Sequence, residues 1–262
     1  MNSFVIKLTL APLLIGCVSL AQRRWGPAIG GFLGGLPLTV GPALFVLALE
    51  NGTPFAAVAS VSAVQSLVAV AAFSAAYAMA AVRSKLTWIG CTAFAFAAYV
   101  TLMWLVTLLP QSLLLASILA ALAILLALGT IQVPAAAAAP NSKPPAWDLP
   151  LRMAAAVALV WTVSALAESL GPRISGLLTP FPIPALILGA FTHRHDGPNA
   201  AASLLRNLVL GLFSREAFCA LAAAALPAFG MAGGFAIAVA GTIATQALLW
   251  HWRVRDTVQD TE

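Results

Sequence analysis

Two ionisable residues, Arg215 and Glu216, stand side by side in an apolar run from Pro198 to Leu226. An ionised group near the centre of a membrane-spanning helix costs at least a few kcal/mol, so such residues face a protein interior and often act on ions or substrates. The Arg215 guanidinium suits an anionic group, and the Glu216 carboxylate suits proton exchange. Neighbouring helical residues point about 100° apart, which disfavours mutual neutralisation. The alternatives are a structural ion pair and a helix orientation that brings both residues to the membrane rim.

Glycine and proline are concentrated in two other runs, residues 30–37 together with Pro42, and residues 176–184. Proline removes a helical hydrogen bond and glycine weakens the helix, so both runs predict interruptions. Backbone groups freed at membrane depth must bind protein, water, ions or ligand. Paired interruptions in two inverted halves point to a transporter's substrate site. Small residues spaced four apart, such as Gly30 and Gly34, favour tight helix packing equally, and the sequence leaves both interpretations open.

The predicted substrate site combines these interruptions with polar residues of neighbouring helices. Its members are Gly34, Gly35, Pro37, Thr39, Gln65, Thr179, Pro180, Pro182 and Arg215, and Glu216 is the predicted proton-coupling residue. Ser62, Gln65 and Ser66 are spaced three and four apart and share one helix face, which we expect to line the interior. His193 and His195 have no second pair of metal ligands, so a hydrated loop is favoured there, and we expect neither metal nor cofactor.

The usual catalytic patterns are missing from the sequence. It contains no phosphate-binding Gly-x4-Gly-Lys-Ser/Thr loop, no His-Glu-x-x-His and no Gly-x-Ser-x-Gly motif. Cys17, Cys91 and Cys219 stand singly in apolar stretches, as core residues do. The 13 Lys and Arg residues lie far apart, which argues against a nucleic-acid partner. We therefore expect a protein that is not an enzyme.

The composition predicts that these residues are carried by membrane helices. The chain has 262 residues, of which 61% are hydrophobic and 8% charged, whereas soluble domains carry roughly a quarter charged residues. A span takes about 20 residues. Charged residues and proline breaks delimit nine apolar segments, predicted as helices 1 to 9, at 8–22, 25–49, 51–82, 86–109, 112–129, 151–170, 174–192, 198–226 and 231–250. A Pro/Ala-rich loop is predicted at 134–145.

The chain also matches itself at an offset of 145 residues. Five glycine and proline positions coincide without a gap, namely Gly26, Pro27, Gly31, Pro37 and Gly52 with Gly171, Pro172, Gly176, Pro182 and Gly197. Five spans separate the copies, and an odd displacement inverts the second copy. The predicted fold is therefore an all-α polytopic membrane protein of 4+1+4 helices with interrupted helices 2 and 7. Its parts are a first repeat at 1–109, a linking helix and cytoplasmic loop at 110–149, and an inverted repeat at 150–262.

The basic residues are distributed unevenly over this predicted topology. Only Lys7 and Arg173 fall on one face, while the other receives Arg23, Arg24, Arg83, Lys85, Lys143, Arg152, Arg194, Arg253 and Arg255. Positive charge concentrates on the cytoplasmic side of membrane proteins. We therefore expect an outside N-terminus, a cytoplasmic C-terminus and a multi-pass location in a bacterial inner membrane.

Residues 41–52 and 191–197 resemble stretches of uncharacterised bacterial inner-membrane proteins, and the repeat resembles that of compact inverted-repeat secondary transporters. The resemblance covers most of residues 26–220 and brings no known activity. It implies a carrier that moves a small solute by alternating access, for which Arg215 favours an anion and Glu216 a coupled proton. The alternatives are a membrane-embedded lipid-handling protein and a non-catalytic membrane assembly subunit.

Overall fold

A computed structural model describes residues 3–84, 86–133, 147–170 and 181–259, and every regular element within them is an α-helix. The helices, numbered along the chain, are α1 Ser3–Trp25, α2 Pro27–Gly34, α3 Val40–Asn51, α4 Thr53–Arg83, α5 Trp88–Thr107, α6 Leu113–Thr130, α7 Asp148–Leu170, α8 Ile183–Asp196 and α9 Pro198–Gln259. The predicted loop at 134–145, like Thr179 and Pro180 of the predicted site, lies outside the described residues.

The described part of the chain is all-helical, and its long apolar helices indicate a membrane-embedded protein. Four stretches are long and apolar enough to cross a bilayer, namely Thr53–Arg83, Trp88–Thr107, Leu113–Thr130 and Pro198–His251 within α9. The outer faces of α5 and α6 carry exposed large apolar side chains such as Trp104 and Leu114. Such faces are stable when they contact lipid and are unfavourable in water.

The predicted interruption of helix 2 is present between α2 and α3. Helix α2 ends at Gly34, and α3 does not begin until Val40. Two backbone bonds close the last turn of α2, from the Gly35 N–H to the Gly31 carbonyl and from Leu36 to Leu33, each 3.1 Å long. Pro37 has no N–H and cannot extend this ladder.

The second predicted interruption is described only in part. Helix α8 begins at Ile183, later than the predicted start at residue 174, and Phe181 and Pro182 before it are not helical. Pro184 stands in the first turn of α8, where the missing N–H of proline removes no helical bond. Residues 171–180 lie outside the described part of the chain.

Helix α9 consists of two arms, residues 198–229 and 231–259, which meet at a kink. Gly230 has φ 67° and ψ −171°, a left-handed conformation that favours glycine, and Pro227 precedes it. The Ser214 hydroxyl bonds to the Gln246 side chain. Residues so far apart in sequence cannot meet on a straight helix, so the second arm folds back along the first. This break agrees with the predicted division between residues 226 and 231.

The core is formed mainly by α4 and the first arm of α9, which share the largest helix–helix interface. Helix α4 is buried along most of its length and is rich in alanine and serine, which allow close backbone approach. Helix α2 packs on α9, and α1 packs on α7. These pairings place the α2–α3 interruption against the first arm of α9.

Candidate functional site

The backbone freed at the α2–α3 interruption is held by Arg215 of α9. The Arg215 Nη2 donates hydrogen bonds to the carbonyl oxygens of Gly34, at 3.0 Å, and Leu36, at 3.1 Å. Only 2% of Arg215 is exposed. A buried guanidinium thus replaces two of the helical donors that the interruption removes. The sequence predicted an anion-binding role for Arg215 and did not predict this contact.

Glycines on both helices bring Arg215 within reach of the interruption. A Cβ atom on Gly31 would lie 1.9 Å from the Leu204 carbonyl oxygen, and one on Gly35 would lie 2.5 Å from the Gly211 Cα. No side chain therefore fits between α2 and α9 at this crossing. Arg215 follows Gly211 by one helical turn and so lies on the same face. The glycine-rich run serves tight packing and an interruption together, which are the two interpretations left open by the sequence.

The beginning of α8 lies next to the same interruption. A Cβ atom on Gly34 would lie 3.2 Å from the Leu188 side chain and 3.8 Å from that of Pro184. Pro182, the residue before α8, is buried. The structure thus brings together Gly34, Gly35, Pro182 and Arg215 of the predicted site. We call this region the α2–α8–α9 junction: residues 34–39, residues 182–188 and Arg215.

The connection before α3 completes the α2–α8–α9 junction. Thr39 precedes α3 and makes no side-chain capping bond. The first turn of α3 offers few free donors, because the Gly41 N–H is already bonded and Pro42 has no N–H. Pro37, another predicted member, lies in the same connection, where its carbonyl accepts a 2.8 Å bond from the Gly41 N–H.

Arg215 and Glu216 do not neutralise each other. Within the described part of the chain, no carboxylate lies within ion-pair distance of Arg215, and Glu216, which is half-buried, forms no ion pair. Among the described residues, the buried Arg215 Nε has no hydrogen-bond partner. A positive group with an unused donor can bind an anionic ligand.

Gln65 makes its contact in a different place. Its Nε2 donates to the Pro110 carbonyl at 2.8 Å, and Ser62 lies beside Gln111, whose Nε2 donates to the Ser62 hydroxyl at 3.1 Å. These bonds attach α4 to the turn between α5 and α6. The Ser66 hydroxyl bonds to the Ala63 carbonyl of its own helix. A substrate-binding role for Gln65 stays a prediction.

A polar cluster joins the ends of α1, α7 and α8. The side chain of Asp148 is fully buried, and its Oδ2 contacts Arg23 Nη2 at 2.8 Å and Arg152 Nε at 2.9 Å. His195 Nε2 lies 3.1 Å from Asp148 Oδ1 without the alignment of a hydrogen bond. Gln22 accepts a 3.3 Å bond from Arg152 Nη1 and donates a 2.6 Å bond to the Thr192 hydroxyl. We call these six residues the Asp148 cluster.

The sequence did not predict the Asp148 cluster. On the sequence alone, Arg23 and Arg152 are only markers of orientation, and residues 193–196 form a hydrated loop. In the structure these residues end α8, where Tyr77 of α4 lies 3.3 Å from His193 Nδ1. The available signal was Asp148 and Arg152, an acid–base pair four residues apart at the start of a helix.

Asp196, the last residue of α8, is half-buried near the Asp148 cluster. Burial raises the pKa of its carboxyl group, and the positive charge of Arg152 and His195 offsets part of that increase. The Arg194 guanidinium lies over the Trp88 ring, 5.8 Å from its centre. Charged groups at this end are therefore partly withdrawn from solvent and held by aromatic and ionic contacts.

Within the described residues, no three His, Cys, Asp or Glu side chains form a group suited to a metal ion. Cys91 and Cys219 are buried, and Cys17 is exposed. The chain matches no protein-family model, no curated protein and no solved structure.

Proposed function

We propose that this protein is a secondary carrier that moves a small anionic solute across a bacterial inner membrane by alternating access, coupled to a proton on Glu216. The observation that carries the proposal is the α2–α8–α9 junction, where a buried arginine binds the freed carbonyls of an interrupted membrane helix. Interrupted helices at substrate depth are typical of secondary transporters.

A duplicated architecture, which we propose from the sequence matches, agrees with a carrier function. Gly52 and Gly197, which directly precede α4 and α9, are 145 positions apart and have similar φ/ψ of 85°/165° and 90°/175°. This spacing equals that of the glycine and proline matches. Two copies related in this way, five spans apart, form the inverted pair that alternating access uses.

The contacts between helix ends fit the proposed orientation. Arg23, Arg152 and His195 meet at Asp148, and Tyr77 near the end of α4 contacts His193. Gln65, nearer the start of α4, contacts the α5–α6 turn instead. The arginine-rich end is cytoplasmic if the positive-inside rule applies, which leaves the N-terminus outside and the C-terminus cytoplasmic.

The asymmetry between the proposed copies supports a specific role for Arg215. The matching position in α4 is Val70, which is buried in the core. A fold that accepts valine at one position does not need arginine at its counterpart. In the proposed cycle an anionic solute replaces the Gly34 and Leu36 carbonyls as the partner of Arg215. The interruption then rearranges, and Glu216 takes up the proton that accompanies the solute.

Flux into liposomes tests the proposal. Purified protein is reconstituted in vesicles that contain the pH dye pyranine, and acetate, succinate or inorganic phosphate is added under an inward proton gradient. We expect one of these anions to accelerate acidification above that of protein-free vesicles. Glu216→Gln should abolish gradient-driven uptake and retain solute exchange, and Arg215→Lys should weaken solute binding because lysine lacks the planar donor fork.

Glu50→Gln provides the matched control, because Glu50 is an exposed carboxylate at the end of α3 and should leave flux unchanged. Flux that is undiminished in both Glu216→Gln and Arg215→Lys removes these residues from the mechanism. Absence of flux with every anion, together with co-purified phospholipid, contradicts the carrier and supports a lipid-handling protein.

A further inference from the structure

The arginine-rich end of the protein is closed by side chains of the Asp148 cluster. Asp148 and Thr192 are both 0% exposed, and Arg152 is nearly as deeply buried. The Arg23 side chain is 27% exposed and that of His195 14%, so these two lie at the outer edge of the cluster, above the buried carboxylate. In an alternating-access protein, a closed end has to reopen during the cycle.

The three helices are joined at this end through one acceptor group. Arg23 comes from the last turn of α1, Arg152 from the first turns of α7, and His195 from the last turn of α8. Their side chains converge on the Asp148 carboxylate. Gln22 connects the same helices a second time through Arg152 and Thr192. Loss of the single carboxylate thus removes the ion pairs of Arg23 and Arg152 and the contact with His195.

We propose that the Asp148 cluster is a releasable latch that closes the arginine-rich end in one state of the transport cycle. The latch rests on the proposed carrier function, since only a cycle requires this end to open. Its chemistry suits reversible opening, because charged and amide groups exchange protein partners for water more readily than apolar groups do. Buried ion pairs, moreover, specify one arrangement more than they add net stability.

The positive charges around Asp148 determine how the helix ends respond when the latch is broken. Arg23 and Arg152 both bind Oδ2 of the one carboxylate, and the cluster provides no second carboxylate in contact with them. An amide at position 148 leaves two guanidinium groups close together without their shared counter-ion. Their repulsion and their affinity for water then favour separation of α1 from α7.

A buried reporter thiol measures this opening. In a Cys17→Ser background carrying Thr192→Cys, the new thiol takes the place of a fully buried hydroxyl within the cluster. The protein is placed in nanodiscs and treated with a water-soluble maleimide, and labelled sites are mapped by mass spectrometry. Asp148→Asn should accelerate labelling at position 192 about tenfold, the size expected when a minor open state becomes tenfold more populated. Cys91 and Cys219, both buried, should stay unlabelled.

Arg24→Gln is the matched control. Arg24 stands beside Arg23 but lies over the Trp25 ring, 5.7 Å from its centre, so its loss should leave the labelling rate unchanged. Asp148→Asn could unfold the protein, in which case all three thiols become labelled. Arg23→Gln then takes its place, because Arg23 is partly exposed, and it should also accelerate labelling at position 192.

The latch is wrong if the folded Asp148→Asn or Arg23→Gln protein is labelled at position 192 no faster than the parent, whether or not the protein transports. Faster labelling in a protein that carries no solute supports opening at this end and contradicts the carrier function instead. The two proposals therefore fail by different results.

Discussion

The glycine contact between α2 and α9 leads to a prediction whose size comes from measured clearances. Gly31→Ala places a Cβ atom 1.9 Å from the backbone oxygen of Leu204, whereas ordinary contacts begin at 3.4 Å. Because the obstacle is backbone in a close-packed interior, α2 has to move away by about 1.5 Å. Overpacking of this kind costs about 1–3 kcal/mol.

The movement of α2 also weakens the contacts of Arg215 with Gly34 and Leu36. Hydrogen bonds to charged groups contribute about 1.5–3 kcal/mol each. The higher helix propensity of alanine offsets up to about 1 kcal/mol of this loss in the free energy of unfolding. With one bond lost and the other retained, Gly31→Ala should lower the free energy of unfolding by about 3 kcal/mol, which corresponds to a fall in Tm on the order of 10 °C.

Gly34→Ala is the control for this prediction, since it makes the same change at the end of the same helix. Its Cβ would meet Pro184 Cβ at an ordinary 3.8 Å, and more closely the side-chain carbons Leu188 Cδ1, at 3.2 Å, and Leu208 Cδ1, at 3.4 Å. The two leucine side chains can rotate away, so we expect Gly34→Ala to lower the free energy of unfolding by less than about 1 kcal/mol.

Thermal unfolding in detergent can be followed in a Cys17→Ser background with a fluorogenic maleimide, which reacts with the buried Cys91 and Cys219 once the protein opens. Equal stability of Gly31→Ala and the parent would refute the packing argument. So would equal losses in Gly31→Ala and Gly34→Ala.

The same unfolding assay checks the first of two further predictions, and loss of helical circular dichroism on heating checks the second, because thiols do not react with maleimide in acid. Gln65→Leu leaves the Pro110 carbonyl without its donor and should lower the free energy of unfolding by about 1–3 kcal/mol. Ser66→Ala removes a bond within one helix and should lower it less. Equal losses in the two variants would contradict the cross-helix role of Gln65. Burial raises the pKa of Asp196, so its ionisation opposes folding and stability falls as pH rises from the ordinary value of 3.8 through the raised one. Asp196→Asn should therefore raise Tm at neutral pH and leave it unchanged below pH 3.8, and equal Tm values at neutral pH would exclude this contribution.

The interruption of helix 2 could be predicted because its cause is local. Glycines and prolines between residues 30 and 42 weaken the helix without regard to its neighbours. The division of α9 was predicted between residues 226 and 231, where the helix has Pro227 and the kink at Gly230. The membrane character and the all-helical class came from composition and segment length, which also need no tertiary information.

The roles of Arg215 and Asp148 could not be predicted, because they depend on contacts between distant segments. Arg215 reaches carbonyls 179 and 181 positions away in sequence. A single chain shows that a buried charge needs partners but does not identify them. The contact of Gln65 likewise depends on a distant segment, because its Nε2 donates to the Pro110 carbonyl of the α5–α6 turn, and its substrate-binding role stays a prediction.

Helix α1 packs on α7, and α4 packs on α9. On the proposed duplication, a half-length ancestor would have buried the same surfaces by associating with a second copy of itself. A homodimer must place identical residues at both equivalent positions, so it could carry two arginines or none. Gene fusion removes that constraint, and a single cation at position 215 opposite Val70 then becomes accessible to evolution.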